Sequence, residues 1–77
     1  MNNIKYYRQQ LRLTVRSLAE KSNVAAGYLS ALENDSGDLI NPTKSVMEKI
    51  SAALDKTVPE VFFPSFADAK FSDGRLN

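Results

Sequence analysis

An all-helical fold, a compact bundle of five short helices, is predicted for this 77-residue chain on three observations. First, apolar residues recur at three- and four-residue spacings. They do so at Val15, Leu18 and Ala19, at Tyr28, Leu29 and Leu32, and at Val46, Met47, Ile50, Ala53 and Leu54. That is the period of helices with one buried face, not the alternation of strands. Second, helix-start residues stand ahead of two of these stripes, at Thr14 and at Asn41-Pro42, and Thr57-Val58-Pro59-Glu60 opens a further short helix. Third, a chain this short builds one small core, so every stripe must turn toward the same interior.

The elements follow in order. A first helix is expected over residues 3–11, with Ile4, Tyr7 and Leu11 on one face and Lys5, Arg8 and Arg12 on a neighbouring one. Thr14 caps a second helix over 15–22; Ser17 occupies the slot where a capping box would carry an acid. Asn23 then breaks the pattern, and asparagine is one of the few non-glycine residues that accept a left-handed backbone. A third helix is expected over 25–34, weakened by about 1 kcal/mol at Gly27 relative to alanine. Asp35-Ser36-Gly37-Asp38 is a turn cluster. Asn41 caps and Pro42 opens the fourth helix. Thr57 and Glu60 make a capping box for a fifth, over 58–63, which Pro64 stops. The expected organisation is a domain over residues 1–64 and a polar, flexible tail over 65–77.

Composition excludes several classes. No cysteine and no histidine are present. That removes disulfides, thiolate metal sites, the commonest metal ligand and the commonest general base. No base, metal-ligand set or phosphate-cradling glycine loop accompanies the serines and threonines, so no enzymatic role and no cofactor are expected. Asp35 and Asp38 fall well short of a calcium-loop ligand set and read as a flexible acidic turn. No apolar run is long enough to span a bilayer, and the N-terminus lacks an apolar signal core, so a soluble cytoplasmic protein is expected. The net charge is only +1, but it is unevenly placed. Through Asn34, five basic residues face two acidic ones (+3); from Asp35 onward, five face seven (−2). The positive charge is concentrated in the first three helices.

Helix, left-handed turn and helix over residues 15–34 make a helix-turn-helix unit, whose second helix enters a DNA major groove. The chain resembles the lambda-repressor-like (Cro/CI, Xre-type) helix-turn-helix family over roughly residues 4–63. The resemblance is carried by Tyr7-Arg8, Leu18-Ala19-Glu20-Lys21, Val24, Tyr28-Leu29-Ser30, Leu32-Glu33-Asn34, Asn41-Pro42, Met47-Glu48-Lys49-Ile50 and Ala53-Leu54-Asp55. The nearest likeness within it is to the DNA-binding domains of biofilm and sporulation repressors, then to the controller proteins of restriction–modification systems. Two departures stand out. Arg12 occupies a position where the family usually has glycine, and the loop before Asn41 is two or three residues longer than usual.

The resemblance implies site residues. Arg8 and Glu33 match a partly buried ion pair; the alternative leaves Arg8 free for a phosphate. Ala26, Gly27, Ser30 and Ala31 match the positions that read bases, yet they offer one hydroxyl and otherwise small groups. Either the helix lies close in the groove, with methyl contacts to thymine and DNA shape supplying specificity, or this face meets a protein. The otherwise intact scaffold favours the first. Thr14, Arg16, Asn34, Asn41, Thr43 and Lys44 are candidates for phosphate contact, Thr14 and Arg16 at one helix start, Asn41, Thr43 and Lys44 at another. Phe62, Phe63 and Phe66 form an apolar cluster, part core and part candidate dimer surface. The expected function is a DNA-binding transcriptional repressor, acting as a homodimer on a palindromic operator. The alternative is a protein-interaction module on the same scaffold, such as an antirepressor or assembly partner.

Overall fold

The computed structural model describes residues 2–35, 37 and 39–64. Five helices occur among them: α1 (Ile4–Gln10), α2 (Val15–Ser22), α3 (Ala26–Glu33), α4 (Lys44–Ala53) and α5 (Val58–Phe62). No strand is present among the described residues. Helix α2 packs on both α3 and α4, α4 packs on α5, and α1 bridges α3 and α5. Every helix contributes to one core, made of Ile4, Leu18, Val24, Leu29, Leu32, Ile50, Ala53, Leu54 and Val61. Complete burial of a Leu, Ile or Val side chain is worth about 1.5–3 kcal/mol. In a domain this small the stripes must therefore face inward together.

Threonine hydroxyls start three of the helices. Thr14 Oγ1 accepts the Ser17 N–H at 3.0 Å, Thr43 Oγ1 accepts that of Val46 at 3.2 Å, and Thr57 Oγ1 accepts that of Glu60 at 3.3 Å. At α5 the box closes, because Glu60 Oε1 accepts the Thr57 N–H at 2.9 Å. That bond holds the Glu60 carboxyl below its ordinary value.

Three helices end through left-handed residues, none of them glycine: Arg12 (φ 58°), Asn23 (φ 59°) and Asp55 (φ 60°). The bonding is the same each time. The residue after the left-handed one reaches back to a carbonyl in the last turn: Leu13 N to Arg8 O at 3.0 Å, Val24 N to Ala19 O at 3.1 Å, Lys56 N to Ser51 O at 2.9 Å. These are closures of the Schellman type, which satisfy carbonyls that the helix end would otherwise leave bare.

The chain is also stitched across its length. Asn3 N donates to Val61 O at 2.7 Å and Asn3 Nδ2 to Glu60 O at 3.3 Å, while Asn2 Nδ2 reaches Leu32 O at 2.9 Å.

Four of the helices differ from their expected bounds, α1 also beginning at Ile4 rather than residue 3. Helix α1 stops at Gln10, and Leu11, predicted on the core face, is 45% exposed. The turn through Arg12 carries Leu13 into the core's edge instead. Helix α3 begins at Ala26 and ends at Glu33, one residue shorter at each end, with no side-chain cap at Ala25. Helix α4 begins at Lys44, not Pro42, because the cap bond to Val46 comes from Thr43, leaving Asn41-Pro42 ahead of the helix. Helix α5 ends at Phe62, where the Phe63 N–H closes the turn on Pro59 O at 2.9 Å. The tail expected over 65–77, with Phe66, lies outside the described residues, as does Asp38.

Candidate nucleic-acid interface

The α2–turn–α3 unit is built by local chemistry. Thr14 starts α2, and Leu18 fixes its inner face in the core. Asn23, at φ 59° and ψ 37°, reverses the chain within one residue, and buried Val24 anchors the turn. Helix α3 then buries Leu29 and Leu32 and half-buries Tyr28. Its opposite side, Ala26, Gly27, Ser30 and Ala31, is exposed throughout. A Cβ added at Gly27 would meet nothing within 4 Å, and its backbone is not left-handed. Neither packing nor conformation requires glycine there. Chemically this face offers methyls, one hydroxyl and an unusually low profile, which suits close approach to a flat or methyl-bearing surface.

The helix starts supply the anion-facing groups. The first N–H groups of α2 and α4, those of Val15, Arg16, Lys44 and Ser45, precede any intrahelical acceptor. Thr14, Arg16, Thr43 and Lys44 are all exposed around them. Donors of this kind, at the positive end of the helix dipole, form a ready anion site. Asn41 is displaced from this group: it stands two residues before the Thr43 cap and lines a groove beside Phe62 and Phe63. Asn34 is exposed at the other end of α3, where its amide donates to Ser30 O at 2.9 Å.

The orientation of α3 relative to α1 is held by one arginine. Arg8 Nε donates to Glu33 Oε2 at 2.7 Å and Arg8 Nη2 to Glu33 Oε1 at 3.0 Å, a two-pronged pair with side chains only 12% and 5% exposed. Hydrogen bonding to Glu33 raises the Arg8 pKa beyond its already high ordinary value, so the charge is permanent. The third prong, Arg8 Nη1 to Leu13 O at 2.8 Å, was not anticipated from the sequence. It ties the α1–α2 turn to the same guanidinium.

A groove of about 220 Å³ lies between the α3–α4 loop and α5, lined by Leu32, Ile40, Pro42, Met47, Phe62 and Phe63 among others. Phe62 is half-buried against the core, Phe63 is 49% exposed, and Leu39 on the adjoining loop is 88% exposed. The loop's shape depends on Asp35, whose carboxylate accepts the N–H groups of Leu39 at 2.9 Å and Ile40 at 2.7 Å. That carboxylate is therefore a loop brace. No described helix is long and apolar enough to cross a membrane.

Residues 4–61 match the family model described as helix-turn-helix. The chain is 42% identical over 55 residues to the HTH-type transcriptional regulator SinR of Bacillus subtilis (strain 168), and equally to SinR of Bacillus licheniformis. These matches take in 71% of this chain and 48% of each relative, so the chain spans about half the length of the curated relatives it matches. Two solved structures superpose at 41% identity over 73% of this chain. The crystal structure of SinR, the master regulator for biofilm formation, in complex with DNA has a TM-score of 0.66, with 86% of that chain covered. The solution structure of the N-terminal DNA-binding domain of Bacillus subtilis SinR has a TM-score of 0.64, with 78% covered.

Proposed function

Because the chain belongs to the lambda-repressor-like (Xre-type) helix-turn-helix family, we propose that it is a DNA-binding transcriptional regulator that represses by occluding a promoter. The observation that carries this reading is the low, exposed face of α3, held at a fixed angle by the Asn23 turn and the Arg8–Glu33 pair. Helix α3 enters the major groove, with Ala26, Gly27 and Ala31 against thymine methyls and Ser30 supplying the one polar contact. Phosphates are met by the N–H groups, hydroxyls and cations at the starts of α2 and α4: Thr14, Arg16, Thr43 and Lys44. Asn34 flanks the end of α3, and Asn41 is a more distant contributor. The domain acts as a homodimer on a palindromic operator, its two recognition helices about 34–36 Å apart in successive grooves. The groove beside Phe62 and Phe63 is the self-association surface, and Phe66 follows shortly after them in sequence.

The test is the salt dependence of duplex binding. Affinity should fall linearly on a log–log plot, with a slope of about −0.9 per phosphate neutralised. Arg16→Ala and Lys44→Ala should weaken binding to all sequences alike and flatten the slope. Absence of detectable duplex binding at low salt would overturn the reading in favour of a protein-interaction module.

A further inference from the structure

Arg12 is held in a costly conformation, and among the described residues its side chain makes no bond that offsets the cost. At φ 58° its Cβ crowds the backbone, a state that Asn and Asp tolerate far better than arginine does. Asn23 and Asp55, the other left-handed residues, are of the tolerant kind. Position 12 has no choice of conformation, because its neighbours dictate the turn. Arg12 N donates to Gln9 O at 3.0 Å, Leu13 N to Arg8 O at 3.0 Å, and the Arg8 guanidinium clamps Leu13 O at 2.8 Å. Any residue placed there is pinned in the left-handed region, and glycine would sit there without strain. Yet the arginine side chain is exposed and makes no hydrogen bond or ion pair among the described residues. Among the described residues, therefore, nothing employs the cation. It projects from a braced turn two residues before the Thr14 cap, with Arg16 exposed on the first turn of the helix that follows.

We infer that Arg12 is a DNA-backbone contact, gripping a phosphodiester adjacent to the one met by the start of α2. The inference rests on the proposed reading that the α2 start faces DNA phosphates. The turn supplies what a phosphate-binding arginine on a mobile loop would lack, a backbone fixed by three hydrogen bonds, so less ordering accompanies contact. Because the contact is to phosphate, it adds affinity at every sequence and reads none.

The experiment uses the full 77-residue chain and a mixed-sequence DNA duplex, with Kd measured across a salt series for wild type, Arg12→Gly, Arg12→Lys and Arg16→Ala, and Tm alongside. Arg12→Gly should raise Tm, since strain is relieved. It should also reduce the salt slope by about 0.9 and weaken binding about eightfold at ~0.1 M salt for each bound subunit. Arg12→Lys should keep the wild-type slope. An unchanged slope in Arg12→Gly beside a reduced slope in Arg16→Ala would overturn the role of Arg12 alone. Loss of binding in Arg12→Lys as large as in Arg12→Gly would also overturn it, since charge would not be the cause. A lowered Tm in Arg12→Gly would show that the arginine serves the fold, which is equally fatal. If wild type shows no salt-dependent binding, the underlying reading fails and takes this one with it.

Discussion

Replacing Glu33 by glutamine removes one charge and almost no volume, which isolates the electrostatic part of the α1–α3 link. In the native domain the carboxylate receives two hydrogen bonds, at 2.7 and 3.0 Å, from a guanidinium that is 12% exposed. Stranding one partner of a fully buried pair costs about 3–5 kcal/mol. Arg8 retains some water access and its bond to Leu13 O, so the loss should lie below that range. Charge-assisted hydrogen bonds are worth about 1.5–3 kcal/mol, and about 2 kcal/mol is therefore expected for Glu33→Gln. A domain of this length has a total stability of about 4–12 kcal/mol, so the variant should stay folded at room temperature yet lose much of its margin. Tm should drop by roughly 8–16 °C. Thermal unfolding followed by circular dichroism measures this directly. The double variant Arg8→Met, Glu33→Leu removes both charges and should recover part of the loss. Recovery stays incomplete because the brace on the Leu13 carbonyl goes too. An unchanged Tm in Glu33→Gln would refute the argument, showing that the pair contributes no net stability.

Two further outcomes are expected. Gly27→Ala should raise Tm by about 4–8 °C, because alanine is the better helix former by up to ~1 kcal/mol and the added Cβ meets nothing; weaker DNA binding by the same variant would show close approach at that point, and unaltered binding would remove it. Stability should fall on acidification partly through Glu60, whose carboxyl is held low by the Thr57 N–H: the folded-state pKa lies below the unfolded one, so the stabilisation is present at neutral pH and is lost as pH falls through the folded value, and Glu60→Gln should flatten that limb of a Tm–pH profile.

Signals that act within a few residues were legible in the sequence. Thr14 placed the start of α2, Asn23 its left-handed end, and the Thr57–Glu60 box the start of α5, because each works through bonds spanning three to five positions. Where two local signals competed, sequence alone could not choose. Asn41-Pro42 and Thr43 are both good starts for α4, and the winner is the one whose hydroxyl meets the Val46 N–H. Leu11 was assigned to the core by periodicity, but the helix ends before the pattern does, and Leu13 takes its place. Arg12 stands where the family usually has glycine, and its backbone is left-handed all the same. The structure keeps the turn, since two backbone bonds and the Arg8 clamp outweigh one crowded Cβ. The bonds of Asn2 and Asn3 left no trace in the pattern, because their partners lie 30 and 57 residues away. For the candidate interface, the family resemblance named Ala26, Gly27, Ser30 and Ala31, and all four are exposed on α3. Their low profile became meaningful once Gly27 was seen to have no packing reason.

The stitching of Asn3 to Glu60 and Val61 brings the start of α1 against α5, so the described helices form a closed ring whose seam lies between these two. A closed ring can be cut elsewhere. Joining residues 64 and 2 through a short linker and opening the exposed loop at Gly37 would leave every helix, the helix-turn-helix unit and the Arg8–Glu33 pair uncut. The order of the helices along the chain is thus separable from their arrangement in space. The α1–α3 half and the α4–α5 half are two pieces that a permuted chain could present in either sequence.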